Sequence, residues 1–156
     1  MSKVITRNRS IKKTDIEDML IDANGAVLGR MATTIVAHLL KGGRVNVINA
    51  ELAVISGEPR ATIHKYTARR AVVKKSNPAH SPHWPRRPDM LVKRIIRGML
   101  PWYKQTGRDA FHNLRVHMGV PDNFNVEKAI KPLKKRFRKS IMVQDLSMEL
   151  GWHANQ

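Results

Sequence analysis

The sequence predicts an α/β protein: a parallel sheet covered by helices on both faces. Three observations carry this. Short apolar runs rich in β-branched residues alternate with longer stretches of helical spacing. The first such set, within Met19 to Asn49, reads as strand, helix, strand, the pattern of one right-handed βαβ crossover. A chain of 156 residues can bury one sizeable core and is short for two full domains.

Met19-Leu20-Ile21-Asp22 predicts a short buried strand, and Ala23-Asn24-Gly25 a turn. From Val27 to Lys41, apolar residues recur at Val27, Leu28, Met31, Ile35 and Leu39, and Gly42-Gly43 stops the helix. Arg44 to Asn49 predicts a second strand, parallel to the first. Leu52-Ala53-Val54-Ile55 either prolongs it or forms a short strand of its own, ending at Ser56-Gly57. Glu58 to Val73 predicts a helix with Pro59 in its first turn. Pro78, Pro82, Pro85 and Pro88 make Lys74 to Pro88 a loop. Asp89 to Leu100 predicts a helix with an acid at its favourable end, a basic face of Lys93, Arg94 and Arg97, and a stop at Pro101. Thr106 or Gly107 opens a short helix through Asn113, and Leu114 to Met118 predicts the last strand, closed by Gly119-Val120-Pro121. Beyond it lies a basic arm, Lys131 to Lys139, then a short helix from Asp145 to Gly151 with Trp152 available to dock. No internal repeat is present.

Composition narrows the function. There is no cysteine, which excludes a disulfide scaffold and thiolate zinc sites. No apolar run approaches the roughly 18 residues of a membrane span. Met1 to Lys13 is polar and basic, so no secretory signal is expected. The net charge is +17, which points to a polyanionic partner, nucleic acid before an anionic membrane surface. The charge is uneven. Residues 18–57 are balanced, with three basic and three acidic groups, whereas residues 58–101 hold eleven basic and two acidic ones. Residues 121–139 hold seven basic and two acidic groups. This is a neutral core decorated for a polyanion. Aromatics are only 5% of residues, so backbone and shape contacts fit better than extensive stacking on unpaired bases.

Enzyme chemistry finds little support. Gly25-x-x-x-Gly29-Arg30 lies between strand and helix, where a phosphate loop would sit, but it fits neither dinucleotide nor Walker spacing and lacks the Walker lysine. Glu51 could imitate a ribose-binding acid. The plainer reading is a tight turn at Gly25 and close helix–sheet packing at Gly29. His80 and His83 alone are spaced to suggest a chelate, and two imidazoles make at most half a zinc site. Ser56-Gly57 lacks the G-x-S-x-G elbow, and no pair of acids shares a helical face. The sharper signal is Arg69-Arg70, Lys74-Lys75, Arg86-Arg87 and Lys93-Arg94, interrupted only by Asp89, with Trp84 among them. Arginine forks bind phosphate oxygens bidentately, and prolines lower the ordering cost of the loop.

Ile96-Arg97-Gly98-Met99-Leu100-Pro101, then Gly107-Arg108, then Leu114-x-Val116-x-x-Gly119, resembles the signature of the large-subunit ribosomal protein L-thirteen family. Ile21-Asp22-Ala23 with Leu28-Gly29-Arg30, Val47 to Glu51, and Arg86-Arg87-Pro88-Asp89 agree in order. The resemblance covers roughly residues 18–121. His83-Trp84-Pro85-Arg86-Arg87-Pro88 and the long basic C-terminal region resemble the archaeal and eukaryotic branch. His117 stands where an aromatic is more usual.

The resemblance implies a three-layer α/β/α domain with a parallel sheet of about four strands. It implies a structural constituent of the cytoplasmic large ribosomal subunit that binds ribosomal RNA, supports assembly and adjoins other ribosomal proteins. On it, residues 18–121 are an RNA-binding domain, 1–17 a basic N-terminal extension and 122–156 a basic C-terminal arm. No cofactor, metal or small-molecule substrate is expected. The residues expected to meet RNA are Arg60, Lys65, Arg69, Arg70, Lys74, Lys75, Arg86, Arg87, Lys93, Arg94 and Arg97, with His80, His83 and Trp84 on sugars or exposed bases. Lys104 and Arg108 extend the patch, and Lys134, Lys135, Arg136 and Arg138 carry the arm. A nucleotide-binding enzyme and a DNA-binding basic protein are the alternatives to RNA binding.

Overall fold

The structure is a computed structural model that describes residues 18–132 and 137–153. The predicted crossover forms as β1 (Met19–Asp22), α1 (Leu28–Leu40) and β2 (Val45–Ile48). The apolar stripe of α1 buries Leu28, Met31, Ala32, Ile35 and Leu39. β2 is the central strand. It pairs in parallel with β1, Ile21 opposite Val47, and with β4 (Leu114–Val116), Val45 opposite Leu114.

The α/β class therefore holds, but the parallel sheet has three hydrogen-bonded strands, β1-β2-β4, where about four were expected. The candidate fourth, β3 (Val54–Ser56), packs on α1 and is bridged in parallel from Val54 to Val27, but forms no ladder with the three-stranded sheet. Its ladder partner is β5 (Ser140–Met142), antiparallel, Ile55 opposite Ile141. A 3-10 turn at Ala50–Leu52, entered by Asn49 in the left-handed region, redirects the chain between β2 and β3. β5 also corrects the expectation that the strand at Leu114 is the last, and that strand ends at Val116 rather than Met118. The outer edge of β1 is partly covered, with Ile130 N–H donating to Leu20 O at 2.8 Å and Asp22 N–H to Ile130 O at 3.1 Å.

The helices are α2 (Pro59–Ala71), α3 (Pro88–Met99), α4 (Gln105–His112) and α5 (Val143–Glu149). α3 starts at Pro88, one residue earlier than expected, because a proline at N1 loses no hydrogen bond. It ends at Met99, since Pro101 drives Leu100 into extended backbone. α1 packs against α3 and α4, and α3 reaches β4. In the opposite pleat, Leu20, Asn46 and Arg115 stand in register, and Arg115 is exposed. One core joins Ile21, Met31, Ile35, Val45, Val47, Leu91, Ile96 and Leu114 with Ile141, Val143, Leu146 and Leu150 from the C-terminal segment.

Two glycines of the family-like signature have opposite reasons. A Cβ on Gly107 would stand 2.2 Å from Pro101 O and 2.6 Å from its carbonyl carbon. α4 can dock on the Pro101 turn only without a side chain there. A Cβ on Gly98 meets nothing. Gly107→Ala is therefore expected to cost about 1–3 kcal/mol of stability in urea unfolding. Gly98→Ala, on an exposed helical site, is expected to gain about 0.5 kcal/mol.

Candidate nucleic-acid interface

α2 is a basic helix that buries a single side chain, Tyr66. Around it the cations are seated on rings. Tyr66 meets Trp84 edge-on, with centroids 6.0 Å apart. The Arg69 guanidinium, one turn along α2, lies 5.3 Å from the Tyr66 centroid and 4.9 Å from that of Trp84. Arg94 of α3 lies 5.3 Å from the same Trp84 ring. Burial pushes the Tyr66 hydroxyl above the usual tyrosine range, with the Arg69 charge working against the rise.

A second ledge follows. Trp102 and Phe111 meet edge-on at 5.4 Å. Arg97 lies 3.9 Å over Trp102, and Lys93 lies 5.1 Å over Phe111. Burial lowers the Lys93 ammonium below the ordinary lysine value; Arg115 adds to the drop and Asp89 opposes it. Lys104 Nζ rests 5.6 Å over the exposed Tyr103 ring, and Arg108 Nε donates to Trp102 O at 3.2 Å. Between the ledges runs a groove of about 380 Å³, lined by His83, Trp84, Pro85, Met90, Lys93, Arg94, Arg97 and Phe111.

The other expected residues divide by neighbour. Arg60, Lys65, Lys74 and Lys75 are exposed, as are His80 in the 3-10 turn Pro78–His80 and His83. Arg86 is exposed and rests its guanidinium beside Gly151. Arg70 has structural work: its Nη1 donates to Leu150 O at 2.8 Å, just past the end of α5. Arg87 pairs with Asp89 through two bonds of 3.2 and 3.0 Å. Arg138 is exposed, and Lys139 is bound to Glu58. Lys134, Lys135 and Arg136 lie outside the described residues. The sequence reading did not single out Tyr66, Met90, Trp102 or Phe111. The signal for Tyr66 was its place three residues before Arg69 on one helical face.

Beyond the strand ends, where doubly wound sheets take nucleotides, the chain's own carboxylates tie the loops together, while an open groove of about 360 Å³ lies beside the start of α1, lined among others by Val27, Leu28, Gly29, Arg30 and Ile55. Asp22 Oδ1 accepts from Asn24 N–H at 3.0 Å and from Asn49 Nδ2 at 2.9 Å. Both Glu51 carboxylate oxygens take the Gly119 N–H, each at 3.1 Å. Glu51 is thus a loop anchor rather than a ribose ligand. Gly25 does make the tight turn, at φ 67°. Gly29 is exposed with open space at its Cβ position, which corrects the expectation of close helix–sheet packing there. Among the described residues no group of three or more His, Asp or Glu is placed to hold a metal.

A basic α/β domain with a cationic, aromatic face and strand-end loops tied by its own carboxylates is the class that these features define. Comparison with known proteins gives the particular family. The family described as Ribosomal protein L13 matches residues 17–123. A Large ribosomal subunit protein uL13 from Methanosarcina barkeri is 45% identical over 138 residues, 85% of this chain and 96% of the relative. Proteins of the same description from Methanopyrus kandleri (40% identical, 90% and 92% covered) and Archaeoglobus fulgidus (35% identical, 93% and 95% covered) span more of the chain. The chain belongs to the ribosomal protein L13 family, a family of ribosomal proteins and not of enzymes, and these relatives are archaeal.

Arg70 and Lys93 give contrasting expectations. Arg70→Ala removes the hydrogen bond to Leu150 and is expected to cost about 1 kcal/mol in urea unfolding, whereas Arg60→Ala on the same helix stays within about 0.5 kcal/mol. Lys93 holds its charge against desolvation, so Lys93→Met is expected to raise the urea midpoint at neutral pH. The depressed folded pKa means that the unfolded chain binds the proton more readily. The wild type therefore recovers stability as pH rises through that pKa, and the advantage of the variant narrows there.

Proposed function

We propose that this protein is a structural constituent of the cytoplasmic large ribosomal subunit, which binds ribosomal RNA through the face of α2, the loop before α3, and α3, and so supports assembly. In this reading residues 18–121 are the RNA-binding body, with 1–17 and 122–156 as basic extensions. The observation that carries it is the alignment of Arg69, Lys93, Arg94 and Arg97 over aromatic rings, on one face and without a carboxylate neutralising each. Such cations keep their charge for phosphate oxygens. Arg60, Lys65, Lys74, Lys75 and Arg86 widen the positive field from exposed positions. Lys104, Arg108 and Arg138, with Lys134, Lys135 and Arg136 of the arm, reach further RNA segments or a neighbouring ribosomal protein. Arg70 and Arg87, each held by an internal partner, contribute mainly to the field. His80 and His83 stand where they can meet sugars.

Family membership supports the ribosomal setting, and Glu51, engaged with Gly119, offers no free ribose ligand. The test is the salt dependence of binding to large-subunit RNA by the full chain. Replacing Arg86, Lys93, Arg94 and Arg97 together with glutamine is expected to lower the slope of log affinity against log salt by about three units. An unchanged slope removes this face from the interface. A clear preference for duplex DNA over structured RNA at matched salt overturns the reading altogether.

A further inference from the structure

The groove between Trp84 and Phe111 has a composition that phosphate binding alone does not require. Resting on the RNA-binding reading above, we infer that it receives one unstacked RNA nucleotide, the base against the apolar walls and the flanking phosphates on Lys93, Arg94 and Arg97.

Its walls are Trp84, Pro85, Met90 and Phe111; its charged lining is Lys93, Arg94 and Arg97, and no acid lines it. Met90, Lys93, Arg94 and Arg97 are spaced one, and then nearly two, helical turns along a single face of α3. That face runs about 10 Å from Met90 to Arg97, short for a polynucleotide track and matched to one residue with its neighbouring phosphates. The cavity of about 380 Å³ lies at the small end of ligand-sized clefts. A paired base stays in its helical stack and cannot enter such a cleft, whereas a bulged or looped base can. Bases stack on aromatic rings and on guanidinium planes alike, and this groove supplies both, from Trp84 and Phe111 and from Arg94 and Arg97. Met90 is a half-exposed apolar side chain, 50% accessible, at the wall of an otherwise cationic face. An apolar surface there is what a base would cover. The low aromatic content of the chain excludes a long stacking platform but not one such pocket.

The experiment uses the full chain and three RNA hairpins that differ at one position: fully paired, a single bulged adenine, and an abasic bulge with the same backbone. Affinity is read by fluorescence anisotropy at fixed salt. The bulged adenine is expected to bind about tenfold or more tighter than the abasic bulge, the scale of one stacked base. Met90→Trp, which fills the groove, is expected to erase that preference while leaving the salt slope intact. Met90 is exposed enough that its variant keeps the fold, which circular dichroism verifies. Equal affinity for bulged and abasic hairpins, or a preference that survives Met90→Trp, overturns the pocket while leaving the general RNA-binding reading standing. Absence of salt-dependent binding to all three hairpins overturns both.

Discussion

A cation above an aromatic ring is the contact on which the basic face depends. Twenty-nine lysines and arginines share the chain with twelve carboxylates, so ion pairs cannot position most of them. Among the described residues two ion pairs form, Arg87 with Asp89 and Lys139 with Glu58. Rings position four of the cations on the face: Tyr66 and Trp84 for Arg69, Trp84 for Arg94, Phe111 for Lys93, Trp102 for Arg97. A carboxylate would hold a guanidinium more firmly but would cancel the charge that a phosphate needs. A ring fixes its direction, contributes on the order of 1 kcal/mol, and leaves the charge outstanding. Few aromatics suffice because one ring, Trp84, serves two arginines from different helices.

The same economy of carboxylates explains the crevice at the strand ends. Asp22 and Glu51, two of the few acids in the neutral segment, face inward to backbone and amide donors. Asp22 ties the turn after β1 to Asn49, the one described non-glycine residue with positive φ. Glu51 ties the 3-10 turn to Gly119 after β4. These bonds join the three strand ends across the place where a related topology would leave a ligand cleft. The two carboxylates are thereby engaged in holding the loops together and are not free to take a ribose.

Much of this was legible in the sequence where one signal dominated. The 3.6 spacing of Leu28, Met31, Ile35 and Leu39 and the Gly42-Gly43 stop gave α1 nearly to the residue, and the charge surplus of residues 58–101 lay where the cationic face is found. What stayed hidden depended on distance along the chain. β3 and β5 are three residues each, too short for a period of two to register, and they exist because they pair with each other across more than eighty residues. The aromatic ledges were hidden for the same reason: nothing local says that Phe111 comes under Lys93, or that Trp84 joins Arg69 to Arg94. Nor does the type of a residue tell that Arg70 faces the end of α5 while Arg69 faces a ring.

The position of α2 follows from this long-range pairing. A helix that fully buries only Tyr66, with Ile63 half-buried against the core, draws limited hold from its own hydrophobic face, since one fully buried side chain yields about 2 kcal/mol. It is held instead by attachments at several points. Tyr66 meets Trp84, Arg70 caps the carbonyl of Leu150, and Glu58 at its start binds Lys139. β3, which leads into α2, pairs with β5, and Gly57 N–H donates to Lys139 O at 3.1 Å. Four of these five attachments come from residues 139–150. Those residues reach α2 because Ile141, Val143, Leu146 and Leu150 enter the common core. The basic helix in the middle of the chain is therefore aimed by its C-terminal segment, and the cationic face is a product of tertiary folding rather than of the charge run that first marks it.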